Sequence, residues 1–151
     1  MKDYMESEVE TKKQPDALPW LRQIANGDQA VFGLVWSLWN MAHVWDDLID
    51  ESNWSLEKKE QAYKALEMFT SNLLLNPFVH AHNAELRALL TSAIARQIGG
   101  DHIATVPAQR QHAPATRCAD IDIFVHIAGL HLGWDKMIEF SKQREIDKED
   151  K

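Results

Sequence analysis

The stretch from about 29 to 51 constrains the fold more than any other part of this chain. Read as a helix, it is apolar on every side, yet it ends in Trp45-Asp46-Asp47-Leu48-Ile49-Asp50. One stripe holds Phe32, Trp36, Trp39 and His43, and the other side holds Val31, Leu34, Leu38, Met41, Trp45 and Leu48. A helix apolar all round belongs in the centre of a domain or at an oligomer interface. With His43 at zero and about 100° per residue, Asp46 falls at about −60°, Asp47 at about +40° and Asp50 at about −20°. All four therefore share one broad face. Three neighbouring anions repel one another and resist desolvation, so a cationic group has to compensate them.

The remaining patterns are helical too, with no strand-like alternation and no internal repeat. The expectation is an all-α fold: a compact helical bundle of about five helices with a buried central helix. Residues 1–16 read as a flexible charged arm, 17–140 as one domain, and 141–151 as a charged C-terminal tail. A short helix over about 19–25 stops at Asn26-Gly27, and Asp28 caps the next. Ser55 caps a third helix over about 56–75, with Ala62, Leu66, Phe69 and Leu73 inward and Glu57, Lys58, Glu60 and Lys64 toward water. Asn76-Pro77 starts a fourth, with a bend near Asn83 as one option, and Gly99-Gly100 ends it near Ile98. Residues 101–114 form a loop before a last helix over about 115–140. In that helix Gly129 and Gly133 are spaced to admit another backbone.

Composition narrows the function classes. The chain has 151 residues, 45% of them hydrophobic, six tryptophans and a net charge of −7. The middle, 17–138, holds no basic stripe to replace phosphate counterions, so no nucleic-acid partner is expected. The polar N-terminal residues read as neither a signal peptide nor a membrane anchor, and no apolar run suits a bilayer. With Cys118 as its single cysteine, the chain suits a reducing compartment, and the expected location is the cytoplasm.

Aspartates at i, i+1 and i+4 offer hard oxygens on successive turns. Mg²⁺, or Mn²⁺, prefers such donors and completes its shell with water and substrate phosphate. Asp46, Asp47 and Asp50 are accordingly the expected metal ligands. The alternative is a solvated helix end, where acids oppose the macrodipole at small cost. Asp46-Asp47-Leu48-Ile49-Asp50 resembles the DDxxD aspartate-rich motif of isoprenoid synthases, all-α enzymes of prenyl-diphosphate elongation and terpene cyclisation. The resemblance covers about residues 40–51, and the sequence holds no second DDxxD. It implies a motif helix facing a central cavity, with Mg²⁺ bridging the aspartates to a substrate diphosphate. A looser likeness is to all-α nucleotide pyrophosphohydrolases of the MazG and dimeric dUTPase type, through Asp47-x-x-Asp50 and Glu57-x-x-Glu60.

The last helix supplies facing partners. Asp122 and His126 are four apart, so the acid could orient the imidazole, or the two could form an ordinary surface hydrogen bond. His43, Asp122 and His126 are the candidate catalytic groups. Arg117 is the candidate for phosphate, or else a partner for nearby Asp120 or Asp122. His131, among apolar residues, reads as a satisfied core histidine. Three functions follow as expectations. The first is a divalent-metal carboxylate site that binds or hydrolyses a diphosphate or other phosphorylated small molecule. The second is a non-catalytic helical interaction or scaffold protein, assembled as a homo-oligomer such as a dimer. The third is a binder of a hydrophobic ligand.

Overall fold

The computed structural model describes residues 17–113 and 119–149. Among them are seven α-helices and one short 3₁₀ turn, with no strand. The helices are α1 (Ala17–Ala25), α2 (Gln29–Asp50), α3 (Leu56–Leu75), α4 (Pro77–Ala81), α5 (Asn83–Ala104), α6 (Ala119–Leu132) and α7 (Trp134–Glu149). The fold is thus all-helical, and the expected arm over 1–16 lies outside the described residues. Over the expected tail, α7 continues as helix to Glu149. Among the described residues no helix is long and apolar enough to cross a membrane.

Local chemistry sets most of the boundaries. Asn26 and Gly27 both take positive φ, 48° and 85°, and turn the chain out of α1. Asp28 then accepts from the Val31 amide at 3.0 Å, and Ser55 accepts from the Lys58 amide at 3.2 Å. Each side chain satisfies one of the orphan N–H groups of a first helical turn.

Two expected helices are each divided. The helix expected over 77–98 breaks at His82, whose backbone (φ −119°, ψ 32°) leaves helical space. Its second part, α5, then runs through Gly99-Gly100 to Ala104, because tertiary contacts outweigh the glycine penalty there. Trp45 Nε1 donates to Asp101 Oδ2 at 3.3 Å and ties down that extra turn. The helix expected over 115–140 breaks at Gly133, whose φ of 99° suits glycine. Gly129 serves the same turn: a Cβ there would meet Met137 Sδ of α7 at 2.8 Å. The close neighbour of Gly129 is thus a side chain and not the expected backbone, and a Cβ on Gly133 would meet nothing within 4 Å. Gly133→Ala should lower stability by about 1–2 kcal/mol, the cost of a left-handed L-residue, as read from urea unfolding.

The core joins α1, the first half of α2, α4, α5, α6 and α7. Leu21, Ile24, Val31, Trp36, Phe124 and Ile127 are all fully or almost fully buried. Trp20 meets Phe124 and Phe140 edge-on at 5.7 and 6.4 Å, and Trp39 reaches Phe124 at 6.1 Å. From Trp39 onward α2 is half-buried or exposed, and Leu48 is 62% exposed.

Helix α3 departs furthest from expectation. It packs along α2 and meets α4, and among the described residues no other helix packs extensively against it. Of its twenty residues only Ala65 is buried. Lys58, Gln61, Ala65, Met68 and Asn72 recur at intervals of three and four, and this stripe lies along α2. Of the expected inward stripe, Ala62 and Phe69 are half-buried and line the spaces beside α2, whereas Leu66 and Leu73 are exposed.

Candidate functional site

Two pockets flank the second half of α2, and the aspartate-rich motif divides between them. The first is an apolar pocket of about 270 Å³ between α2, α3, α5 and α6. Its walls include Leu38, Met41, Trp45, Phe69, Leu90, Ile94 and Phe124, and its one charged lining residue is Asp46. Gln97 adds an amide near Asp46, and Asp101 lies beyond Trp45 through their hydrogen bond.

The second is a polar cleft of about 370 Å³ between α2 and α3. Asn40, His43 and Asp47 face it from α2, Lys58 and Gln61 from α3, and Trp54 from the connection. Asp46 and Asp47 are neighbours in sequence, but the 100° between them on a helix turns one toward α5 and the other toward α3.

Lys58 is the cationic compensation for Asp47, which it shares with Glu51. Its Nζ lies 3.5 Å from Asp47 Oδ2 and hydrogen-bonds Glu51 Oε2. The ammonium also sits 5.9 Å from the Trp54 ring centre. The bond to Glu51, with the charge of Asp47 beside it, raises the Lys58 pKa above its usual 10.5. A raised folded-state pKa adds stability that is complete below the unfolded value and fades as pH rises through the folded one. At neutral pH Lys58 is therefore fully charged. The expectation that Lys58 points to water is corrected: its side chain is only 28% exposed, because it follows the α2-facing stripe of α3.

The remaining candidates are placed as follows. His43 Nδ1 donates to the Trp39 carbonyl at 2.9 Å, and the ring tilts against Trp39 at 4.7 Å. His43 and Asp47 do share the polar cleft. Asp50 closes α2, and its side chain lies outside the described residues, as does Arg117. The Asp122 carboxylate accepts from Arg96 Nη1 at 3.0 Å, across α5 and α6. His126 instead donates from Nδ1 to the Asp122 carbonyl at 2.8 Å and is exposed. The acid therefore does not orient the imidazole, and neither residue lines either pocket. His131 Nε2 donates to the Ala25 carbonyl at 3.0 Å, tying α6 to the end of α1.

Among the described residues no three His, Cys, Asp or Glu side chains gather as a metal group. Asp47 and Glu51 converge on an ammonium, and Asp46 looks into an apolar space. Sequence reasoning missed Lys58 and Asp101. Lys58 alone carried a signal, its phase with Ala65 and Met68 rather than with Leu66. No family model, curated protein or solved structure matches the chain.

Proposed function

We propose that this protein binds a small amphipathic molecule, with its apolar part between α2, α3, α5 and α6 and its polar head beside Asp46. One observation carries the reading: a pocket of about 270 Å³ with almost wholly apolar walls and a single carboxylate. Ligand sites commonly combine apolar walls with a few polar groups that fix orientation. The head remains the variable. A phosphate or diphosphate head, as the aspartate-rich motif suggests, requires Mg²⁺ or Mn²⁺ between it and Asp46. A cationic or neutral head does not.

Binding is tested with N-phenyl-1-naphthylamine, a neutral apolar fluorophore, with Trp45 in the wall as a second reporter. Ala93→Phe places a ring in the open space and should weaken the probe by about tenfold, or 1.4 kcal/mol, while the melting temperature holds. Unchanged affinity in that variant would sink the proposal. Competition by phosphorylated amphiphiles, with and without Mg²⁺ or Mn²⁺, then assigns the head.

A second reading has its own support. Leu66, Leu74 and Leu75 are 52%, 65% and 79% exposed on α3, and such leucines suit a non-catalytic helical assembly. A monomeric mass by light scattering at micromolar concentration would count against it.

A further inference from the structure

We propose that α3 is a flap over the apolar pocket, hinged at Asn76 and latched at its other end by Lys58. The inference rests on the pocket being a ligand site and adds how a ligand enters it.

The two ends of α3 are held by different chemistry. At the C-terminal end, Asn76 is 6% exposed and serves three elements. Its Nδ2 donates to the Ala30 carbonyl at 2.7 Å and to Asn72 Oδ1 at 2.8 Å, while its Oδ1 accepts from the Phe78 amide at 2.9 Å. Here α2 and α3 touch, since a Cβ on Gly33 would stand 3.0 Å from Asn72 Oδ1. A buried, bonded joint of this kind is costly to open.

At the N-terminal end the helices part. The polar cleft runs between Asn40, His43 and Asp47 on one side and Lys58 and Gln61 on the other. Across it Lys58 pairs with Asp47 and Glu51, whose side chains are 44% and 42% exposed. Exposed pairs are weak and screened by salt. Phe69, in the wall of the apolar pocket, rides on the same helix. Swinging α3 about Asn76 therefore widens that pocket, and releasing Lys58 permits the swing.

Hydrogen exchange on the full chain tests the hinge, and stopped-flow binding of N-phenyl-1-naphthylamine tests the gate. Amides in 60–70 should exchange faster than those in 73–75, both sets lying inside the helix. Lys58→Met should raise exchange in 60–70, the stretch that carries Phe69, about threefold, as loss of a weak latch allows, with 73–75 unchanged. The probe should enter faster by a similar factor, and Lys58→Arg should restore both rates. Molar salt should reproduce the variant in the wild-type protein. Uniform exchange along α3, or exchange indifferent to both Lys58→Met and salt, would overturn the flap. An exchange gradient with no probe binding would support the hinge and overturn the pocket as a ligand site.

Discussion

Phe124→Ala is expected to cost about 3–5 kcal/mol, the usual loss for a buried aromatic cut to a methyl. Phe124 is 1% exposed and lies at the meeting of Trp20, Trp39 and the floor of the apolar pocket. Its removal forfeits burial and the edge-on contact with Trp20, and the vacated space opens into the pocket. The urea midpoint should fall by about 2 M, given a slope of about 2 kcal/mol per molar. Phe124→Leu keeps most of the volume and should lose less than half as much. Equal losses in the two variants would mean that ring packing is not what this position supplies.

Asn76→Ala should lose about 2–4 kcal/mol, although it deletes only a small polar group. The side chain caps α4 through the Phe78 amide and leaves Ala30 and Asn72 without their donor when removed. Capping accounts for about 1 kcal/mol, and stranded buried acceptors for about 1–3 more. Asn76→Ser retains a capping oxygen but cannot reach Ala30, so its loss should fall between wild type and alanine. Urea unfolding of the three proteins separates the two contributions. A serine variant as unstable as the alanine one would assign the whole effect to the Ala30 and Asn72 bonds.

Much of the fold was legible because its signals are local. Asp28, Ser55 and Asn26-Gly27 act on amides or dihedrals within a few residues, and the structure places each at the boundary its chemistry implies. Which glycines break a helix was not legible in the same way. Gly99-Gly100 and Gly129/Gly133 carry equal breaking potential, and the chain breaks only at Gly133. The difference is tertiary: Asp101 is held by Trp45 from α2, a partner 56 residues away. The phase of α3 failed for a related reason. Its leucines outweigh Ala65 in any hydrophobic count, but the side packed on α2 is set by small and polar residues that let the helices approach.

The aspartate-rich face was legible as a concentration of charge needing a partner, and Lys58 is such a partner for Asp47. The division of Asp46 from Asp47 was not. A wheel places both within reach of one face, and only the positions of α3 and α5 decide which neighbour each meets. Arg117 and the side chain of Asp50 stay with the sequence reading, because they fall outside the described residues.

The hydrogen bond from His131 to the Ala25 carbonyl spans 106 positions of the chain, and Trp20 meets Phe140 across a still longer stretch. Contacts so remote in sequence have a consequence during synthesis. While α2 to α5 emerge from the ribosome, α1 has α2 to lie against but not α6, so its face toward α6 stays open. At about 5–20 residues per second, that interval lasts about 5–20 seconds. The nascent chain therefore carries a half-sealed apolar helix until α6 appears, and the core closes as a late event.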